Sequence, residues 1–533
     1  MRRTLLASAQ TAAFLLLGVL MGACPGSPSE TDSSSQETTG GDCEPGTLDC
    51  ICYEDDTCGP ALICASNVCI DDPALTTMST TTNGVTTGPS TDSSDSEATT
   101  SPSTGSGSTT MEGAECDPVD GVENPACGEA MPYCTAEGMC ADCSAISCAD
   151  VSGETLACDV DSGLCVECSA DNADACSGVT PVCSAVSNTC VPCSEHSECE
   201  SGACNLFSGA CFPDKALWVD NGDSSCTPNG GGTQEKPFCE IIDAVLSIDK
   251  NSPTIIWVTS SASAYTKKVS VSSSQIIAIR STDSKLVRLE VNGQAGLSVY
   301  GGRVLIDRLQ IGYPSEDPGV TCSSAGSIWA DDSRVIDRKQ IGVDASSNCE
   351  MVFRRSEIAK NSQGGVQQSG GSLRMENTFV TGNGNGFSAV GGIATSQGTE
   401  VELVYVSVLA NNAADKTGKS MSCSPDTSGM TLNSILLGED AGVASVECAG
   451  LTFGYSVFDN CKLATGTNTC KENGLEAAWF VSPQTNDFHI KAGSMNPFKD
   501  AALWINGQPL TDYDGDPRPA VDGSIDYAGA DVP

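Results

Sequence analysis

A four-position pattern of mostly apolar residues recurs between residues 304 and 437. In each repeat the four positions lie ten, eight, five and three residues before a reference position, which we call the anchor. Four anchors are positions 361, 383, 411 and 440, which are 22, 28 and 29 residues apart. Pro314 anchors the same pattern 47 residues before position 361, a distance of two periods. The five sets are Val304, Ile306, Leu309 and Ile311; Met351, Phe353, Ser356 and Ile358; Leu373, Met375, Thr378 and Val380; Val401, Leu403, Val406 and Val408; and Met430, Leu432, Ile435 and Leu437.

A period of about 20 to 30 residues with two short strands is typical of a β-solenoid, because one coil cannot bury its apolar side alone. We therefore predict an all-β fold in which strands of neighbouring coils lie parallel, ~4.8 Å apart. Asn361, Asn383 and Asn411 are expected at a tight corner, since Asn tolerates the left-handed conformation and hydrogen-bonds to its stacked copy. The competing fold is a β-sandwich, which would require hairpin turn signals between the strands.

The acidic charge is concentrated in residues 25–214, which contain 33 Asp and Glu and no Lys or Arg. The formal net charge of −43 excludes a nucleic-acid binder that works through a basic surface, because phosphate contacts need Lys and Arg. The two histidines, His196 and His489, exclude a His-rich metal site. No cofactor is predicted. The acidic segment could collect calcium loosely, but we interpret it as a solvated spacer.

Residues 1–23 are predicted to be a lipoprotein signal peptide. Two arginines precede an apolar stretch at residues 12–23, which is shorter than the ~20 residues of a transmembrane helix. The stretch ends in the sequence MGAC (residues 21–24), which resembles a bacterial lipobox with Met in place of the usual Leu. The resemblance implies that Cys24 is lipidated and anchors the chain to a lipid bilayer.

Cysteine counting supports this interpretation over an ordinary signal peptide with a nearby free cysteine. Of the 31 cysteines, removal of Cys24 leaves an even number, as expected for disulfides formed in an oxidising compartment. Pro25 stands where Asp commonly marks retention in the inner membrane. The resemblance therefore points to a cell-envelope location at the outer membrane, on its periplasmic or extracellular face.

The rest of the chain divides by composition. Residues 24–42 and 71–115 are Ser/Thr-rich tethers predicted to be disordered, residues 43–70 hold six cysteines, residues 116–213 hold four repeats of four cysteines, and residues 214–533 form the predicted solenoid. The Cys-x-x-Cys spacing between repeats could suggest zinc or a redox site, but an oxidising compartment favours structural disulfides. Two disulfides per repeat are expected if pairing stays within repeats, and their connectivity is left open.

Two segments at the ends of the last region resemble pectin-lyase-like right-handed parallel β-helix proteins. Residues 232–245 (GTQEKPFCEIIDAV) look like the opening segment, in which a short amphipathic helix caps the first coil. Residues 512–519 (DYDGDPRP), followed by residues 526–530 (DYAGA), resemble the closing motif of bacterial surface members, with Tyr527 in place of the usual Ile. The resemblance implies a right-handed parallel β-helix and does not specify an activity.

The eight cysteines of this region are expected to form local disulfides. Each disulfide would tie a loop back to the coil. The pairs, chosen by proximity in the sequence, are Cys226 with Cys239, Cys322 with Cys349, Cys423 with Cys448, and Cys461 with Cys470.

Candidate catalytic residues follow from the enzymes of this fold, in which lyases combine calcium-binding carboxylates with an Arg or Lys base and glycosidases use several Asp. Outward positions of the predicted strands carry charges, with Arg354 expected beside Glu376 and Arg374 beside Glu402. We interpret them as a cross-strand charge ladder. The alternative is a carbohydrate groove in which Arg354 or Arg374 is the base, a role for which Arg is poorly suited.

Two aspartate clusters are further candidates. Asp331 and Asp332 are adjacent in the predicted coil, and we interpret them as an exposed turn rather than a catalytic dyad. Asp512, Asp514 and Asp516 alternate around a glycine, somewhat like a calcium loop. They lack the closing Glu of an EF-hand, so we interpret them as a terminal turn rather than a metal site.

Together these features predict a surface lipoprotein with a non-catalytic binding or adhesion role and polysaccharide as its candidate ligand. One alternative is a polysaccharide lyase or glycoside hydrolase that acts on an acidic glycan. The other is a purely structural protein of the cell envelope.

Overall fold

The computed structural model describes residues 127, 131–148, 157–414, 419–438, 445–493 and 496–533, with the backbone of residues 62–65 and 68–71. The chain divides into two compact units, residues 1–107 and residues 108–533. The predicted signal peptide, Cys24 and the first tether lie outside the described residues, as do residues 72–115. Of the six-cysteine module, the structure describes an antiparallel pair, β1 (Leu62–Ala65) and β2 (Val68–Asp71).

Each described cysteine repeat contains one short antiparallel hairpin held by disulfides. The hairpins are β3 (Tyr133–Cys134) with β4 (Cys140–Ala141), β5 (Ala157–Asp159) with β6 (Leu164–Val166), β7 (Val182–Ser184) with β8 (Thr189–Val191), and β9 (Cys204–Asn205) with β10 (Ala210–Cys211). Short 3-10 helices lie at Cys143–Ala145, Ala170–Ala175 and His196–Glu198. In repeats two to four, the first cysteine bonds to the third and the second to the fourth: Cys143–Cys158, Cys148–Cys165, Cys168–Cys183, Cys176–Cys190, Cys193–Cys204 and Cys199–Cys211. Cys127 bonds to Cys140 in the first repeat, so every described disulfide of this region stays within its repeat.

The next region is a right-handed parallel β-helix whose coils each pass through three sheets in the order A, B, C. Sheet A contains β13 (Val269–Ser272), β16 (Leu297–Tyr300), β19 (Val320–Ser323), β22 (Val343–Ala345), β25 (Val366–Ser369), β27 (Ile393–Ser396), β29 (Met421–Cys423) and β32 (Val446–Glu447). Sheet B contains β11 (Ala216–Val219), β12 (Thr254–Val258), β14 (Ile276–Ser281), β17 (Arg303–Asp307), β20 (Ser327–Asp331), β23 (Glu350–Arg354), the first halves of β26 (Ser372–Thr381) and β28 (Glu400–Leu409), β30 (Ser428–Leu432) and β33 (Leu451–Gly454). Sheet C contains β15 (Val287–Leu289), β18 (Leu309–Gly312), β21 (Arg334–Ile336), β24 (Glu357–Ala359), the second halves of β26 and β28, β31 (Ile435–Leu437), β34 (Val457–Phe458) and β35 (Thr469–Cys470).

The interior of the β-helix is lined by the apolar residues that the sequence pattern predicts. Met351 pairs with Leu373 and Leu373 with Val401 in parallel register, and all three side chains are buried in one continuous core. Each such pair joins two coils, and full burial of one large aliphatic side chain contributes about 1.5–3 kcal/mol. The parallel solenoid is therefore confirmed, and the competing β-sandwich is excluded.

The prediction for the last of the five sets, Met430 to Leu437, is wrong by one residue. Val401 pairs with Gly429 rather than with Met430, and Thr431 takes the interior place beside Leu403. Met430 consequently lies on the outer face, with 42% of its surface exposed. Successive side chains of a strand alternate between faces, so a shift of one residue inverts the whole set.

The asparagine ladder is confirmed. The Nδ2 atom of Asn361 donates to Oδ1 of Asn383 at 3.0 Å, and Nδ2 of Asn383 donates to Oδ1 of Asn411 at 3.0 Å. The left-handed residue, however, is the one before the anchor, as at Lys360 and Ala410, so the expected left-handed conformation of the asparagines is wrong. The asparagine side chain instead turns inward, where it satisfies buried backbone groups of the neighbouring coil.

The bend between sheets B and C is a stack of residues in the left-handed conformation. This conformation is strained for residues other than glycine, and it turns the chain sharply while pointing the side chain outward. The stacked residues are Arg308, Asp332, Arg355, Asn377, Tyr405, Asn433 and Tyr455. Their side chains form a column in which Asp332 pairs with Arg308 and Arg355, and in which Asn377 and Tyr405 both contact Arg518.

Both ends of the β-helix are covered. The helix α1 (Ile241–Ser247) buries Ile241, Ala244 and Val245 against the first coil. The C-terminal segment contains two antiparallel pairs, β36 (Phe480–Ser482) with β37 (Asp487–Ile490) and β38 (Ala502–Trp504) with β39 (Ser524–Asp526), and 3-10 helices at Ala477–Trp479 and Pro483–Thr485. It packs over outward side chains of sheets B and C, including Ile435 and Leu437. No helix in the described part of the chain has the length and apolar character needed to cross a membrane.

The C-terminal segment is locked by Arg518, whose side chain is fully buried. Its guanidinium donates to Asp526 at 3.1 Å and to Asn377 at 3.2 Å, and it stacks 3.8 Å from the centre of the Tyr405 ring. The closing motif therefore fastens the chain end to the stacked column between sheets B and C. The structure also pairs Cys226 with Cys239, Cys322 with Cys349, Cys423 with Cys448 and Cys461 with Cys470, the four pairs chosen from proximity in the sequence.

Candidate functional site

The fourth cysteine repeat packs against the outer face of sheet B. Ala203 and Phe212 of the repeat bury Ile255, Ala278 and Leu305 of three successive coils. At the end of this contact, Phe207 meets the ring of Trp329 edge-on at 5.7 Å. The repeat therefore covers the first coils of sheet B and leaves the later ones open.

The open part of sheet B is the floor of a cleft, which we call the central cleft. One wall is the fourth cysteine repeat at residues 193–195 and Leu206, and the other wall is residues 507–511 of the C-terminal segment. The cleft has a volume of 690 Å³, and its floor is made by Trp329, Val352, Arg354, Arg355, Arg374, Glu376 and Asn377. An adjoining cavity of 360 Å³ shares Leu206, Trp329, Val352 and Arg374 and adds Phe207, Glu350, Ser372, Leu373, Glu400 and Glu402.

Asp331 is the centre of a buried ion-pair network under one wall of the cleft. Its carboxylate accepts from Arg354 Nη2 at 2.6 Å and from Arg355 Nη2 at 2.9 Å, and none of its surface is exposed. Burial alone would raise the pKa of Asp331, but the two guanidinium groups outweigh it and hold that pKa below its ordinary value. The prediction of an exposed turn at Asp331 is therefore wrong, because the strand ends beneath the docked cysteine repeat.

Glu195 of the fourth repeat completes this network. Its carboxylate lies 2.9 Å from Arg354 Nη1 and 3.2 Å from Arg355 Nη1, and the carbonyl of Ser194 accepts from Arg354 at 3.0 Å. Burial works against the charge of Arg355, but Asp331 and Glu195 outweigh burial and raise its pKa. Both arginines are thus held as cations whose donors are already bound to carboxylates.

Asp332 belongs to the same network through the stacked column between sheets B and C. It accepts from Arg355 Nε at 3.0 Å and lies 3.5 Å from Arg308. Burial, and then the neighbouring charge of Asp331, raise the pKa of Asp332. The two adjacent aspartates therefore point into an arginine network and share no open site.

His196 lies beside this network in a neutral state. Its Nδ1 accepts from the backbone N–H of Cys204 at 3.2 Å, and its Nε2 lies 4.0 Å from Asp331. Burial, followed by the repulsion of Arg280, lowers the pKa of His196 to about 3. His196 is therefore not protonated at neutral pH and supports the docked repeat rather than proton transfer.

The open floor of the cleft carries the charge ladder that the sequence predicts. Arg354 pairs in register with Glu376, and Arg374 with Glu402. Arg374 lies 3.5 Å from Glu376 and 3.7 Å from Glu402, and its side chain is 47% exposed. Burial raises the pKa of Glu376, although Arg354 and Arg374 oppose the shift.

The remaining candidates lie away from the cleft, in the C-terminal turn. Asp512 accepts from the backbone N–H groups of Asp514, Gly515 and Asp516 through one oxygen, and from Val532 through the other. This carboxylate holds the turn together, as the interpretation of a terminal turn predicts. Asp516 is exposed, and Asp514 lies 3.0 Å from Nε2 of His489.

Sequence reasoning missed the docking of the fourth repeat, which brings Glu195, His196 and Leu206 to sheet B. A signal for it exists in the sequence. Leu206, Phe207 and Phe212 are larger apolar residues than a small disulfide module needs for its own core. Phenylalanine occurs in the cysteine repeats only in the last one, at positions 207 and 212, which indicates a partner surface there.

Comparison with known proteins agrees with the observed architecture. The profile of the family described as "Right handed beta helix region" matches residues 254–404, and that of a family of unknown function (DUF8331) matches residues 103–217. A pectate lyase structure is 11% identical, covering 58% of this chain and 96% of its own, with a TM-score of 0.32. A rhamnogalacturonan lyase structure is also 11% identical, with the same coverage and a TM-score of 0.26. No curated protein matches the chain.

Proposed function

We propose that this protein is a lipoprotein of the cell envelope whose central cleft binds a polysaccharide without cleaving it. Lipidation at Cys24 would hold it on the bilayer. The disulfides of the cysteine repeats and the β-helix support an oxidising compartment outside the cytosol.

The engagement of every arginine in the cleft carries the proposal. Arg354 and Arg355 are neutralised by Asp331 and Glu195, and Arg374 lies between two glutamates. A lyase base must be able to give up its proton, and a guanidinium held in such ion pairs keeps its proton. The arginines of the cleft can therefore donate hydrogen bonds to a ligand but are unsuited to act as the base of an elimination.

The floor of the cleft suits a sugar chain. Trp329 offers an aromatic surface on the cleft floor. Arg374 offers exposed donors, and Glu376 and Glu402 offer acceptors for hydroxyl groups. Parallel strands keep these groups in rows about 4.8 Å apart along the β-helix.

The charge of the cleft favours a neutral polysaccharide over an acidic one. The two adjoining cavities are lined by carboxylates of five glutamates but by only three guanidinium groups. An acidic chain would meet the unpaired excess of negative charge and be repelled. The glutamates are Glu195, Glu350, Glu376, Glu400 and Glu402.

One observation favours a glycoside hydrolase as a second candidate. Glu376 lies on the cleft floor with a raised pKa, which is the property of a general acid. The second carboxylate nearby, Glu402, lies 3.7 Å from Arg374, so one guanidinium pairs with both glutamates and neither carboxylate is free. Binding without cleavage therefore remains the stronger proposal.

A glycan array probed with the full secreted chain tests the proposal. We expect binding to neutral polysaccharides, and a loss of about tenfold in affinity in Arg374→Ala, because charge-assisted hydrogen bonds contribute ~1.5–3 kcal/mol each. Trp329→Phe should also weaken binding, while the matched control Tyr300→Ala, an exposed aromatic away from the cleft, should not.

Two results would overturn the proposal. Product formation by the wild-type chain that is lost in Glu376→Gln would show a hydrolase. An array without any bound glycan, from a chain whose circular dichroism shows intact β-structure, would leave the purely structural role.

A further inference from the structure

A second cluster of ionisable groups lies on the C-terminal segment, separate from the central cleft. His489 of β37 lies with its Nδ1 2.6 Å from Asp487 Oδ1 and its Nε2 3.0 Å from Asp514 Oδ2. Its ring packs against Phe379 and Tyr513, which places it on the outer face of sheet C. Nε2 is shielded from solvent, and its approach to Asp514 lacks the angles of a hydrogen bond.

Asp531 brings a buried carboxylate to the same point. It is 3% exposed, and the backbone N–H of Ile490 donates to its Oδ2. Ligand atoms of His489, Asp514 and Asp531 all lie within 4.8 Å of one another. In the described part of the chain, no lysine or arginine forms an ion pair with Asp531, and the basic group beside it is the imidazole of His489.

The charges around the cluster are unbalanced. Asp487, Asp514 and Asp531 surround a single imidazole. Even with a protonated imidazole, one positive charge faces three carboxylates, and a bound cation would offset this excess of negative charge.

The other charged groups near the cluster of His489, Asp514 and Asp531 already have partners. Asp512 is bound by backbone N–H groups, and Arg518 is bound to Asp526. Arg334 forms an ion pair with Glu357 and lies 3.4 Å from the hydroxyl of Tyr513. None of these groups supplies the missing charge to Asp531.

We propose that His489, Asp514 and Asp531 bind a divalent transition-metal ion of the Zn²⁺ type. One imidazole and two carboxylates are a donor set that Zn²⁺ accepts, at 2.0–2.2 Å from each ligand atom, whereas Ca²⁺ takes oxygen ligands. Asp487 holds the Nδ1–H of the imidazole, which directs the lone pair of Nε2 to the ion, as carboxylates behind metal-bound histidines do.

The ion would join three parts of the C-terminal segment that are far apart in sequence. His489 lies on β37, Asp514 in the terminal turn, and Asp531 two residues before the end of the sequence. A metal bound to all three would fasten the cover of sheet C and would stabilise the folded state by its binding free energy.

Zn²⁺ titration of the metal-free full chain at pH 8 tests the site, with calorimetry and NMR of the histidine rings. The chain has only two histidines, so the ring signals of His489 and His196 are readily separated. We expect one Zn²⁺ per chain at this site and a shift of the His489 signals alone. Affinity should fall about tenfold or more in His489→Gln and in Asp531→Asn and stay unchanged in Asp516→Asn, the matched control.

Two outcomes would overturn the proposal. The first is a folded chain whose His489 signals do not move at millimolar Zn²⁺. The second is equal Zn²⁺ affinity in wild type and His489→Gln, which would assign the binding to loose collection by the acidic segment. Thermal unfolding of each variant shows whether a lost site reflects lost folding, and Asp514→Asn, a change in the exposed part of the turn, supplies an independent ligand removal.

Discussion

The cysteine repeats and the β-helix are stabilised by opposite means within one chain. In the repeats, the buried apolar residues are mostly the cysteines themselves, as in the cluster of Cys193, Cys199 and Cys204. In the β-helix, one continuous core runs from Val219 to Phe458, and most of its members are aliphatic side chains, although it also includes Cys322, Cys349 and Cys448 of two disulfides. The comparison teaches that covalent closure replaces a core where the chain is too short and too acidic to build one.

Reduction of the disulfides should produce the largest difference in stability between the cysteine repeats and the β-helix. Each disulfide of the repeats contributes ~2–4 kcal/mol, so we expect the repeats to unfold while the β-helix keeps its β-structure. Thermolysin digestion with and without reductant, followed by mass spectrometry, measures this. Equal cleavage of both regions after reduction would show that the β-helix also depends on its disulfides.

Truncation of an interior side chain should harm only the β-helix. Phe353 lies in the core between coils, and Phe353→Ala should destabilise it by about 3–5 kcal/mol, because a buried aromatic leaves a cavity. Phe387→Ala is the control, since 91% of that side chain is exposed. Denaturant unfolding followed by circular dichroism gives both values, and similar losses would contradict the assigned register.

The asparagine ladder should contribute less than the apolar core. Asn383→Ala removes the acceptor of the Asn361 N–H and leaves this buried donor without a partner, at a cost of ~1–3 kcal/mol. Asn292→Ala, at an exposed position, should have little effect. Hydrogen exchange of the Asn361 amide measures the local change directly, and unchanged protection would remove the ladder from the account of stability.

Loss of the Glu195 ion pairs between the fourth cysteine repeat and the β-helix should have the smallest effect on stability. Glu195→Gln weakens the pairing with Arg354 and Arg355, but Asp331 remains, so we expect a loss of up to about 1 kcal/mol. The loss should shrink as salt rises, because Glu195 is partly exposed. Hydrogen exchange in the fourth repeat, compared with Glu200→Gln at an exposed position, reports on the docking, and a salt-independent loss would indicate packing instead of charge.

The sequence predicts the core of the β-helix better than its surface. Val304, Phe353 and Val380 recur at a period that only stacking explains, and the structure places them inside. The prediction for Met430 is wrong because the apolar pattern fades in the coil of β30, where Gly429 and Thr431 replace apolar residues. The apolar periodicity marks the side chains that face the interior of the β-helix. It is weaker where another segment covers the outer face, because outward side chains there are apolar as well.

The central cleft could be predicted only in part. The register of Arg354 with Glu376 follows from the repeat, but the contact between Arg354 and Glu195 joins residues 159 positions apart. A repeat defined by cysteine spacing carries no information about which of its faces is apolar. Only Phe207 and Phe212 mark the docked side, and they do not specify where on the β-helix they bind.

The docked fourth repeat also has a mechanical consequence. Tension applied ahead of Cys193 must pass through loops that are closed by Cys193–Cys204 and Cys199–Cys211, and these loops cannot lengthen. Phe212 and Ala203 pack against three neighbouring coils. The applied force is therefore shared among these coils as shear and does not detach the first coil by itself. The fourth repeat thus distributes an external load over several coils and protects the first coil from unfolding alone.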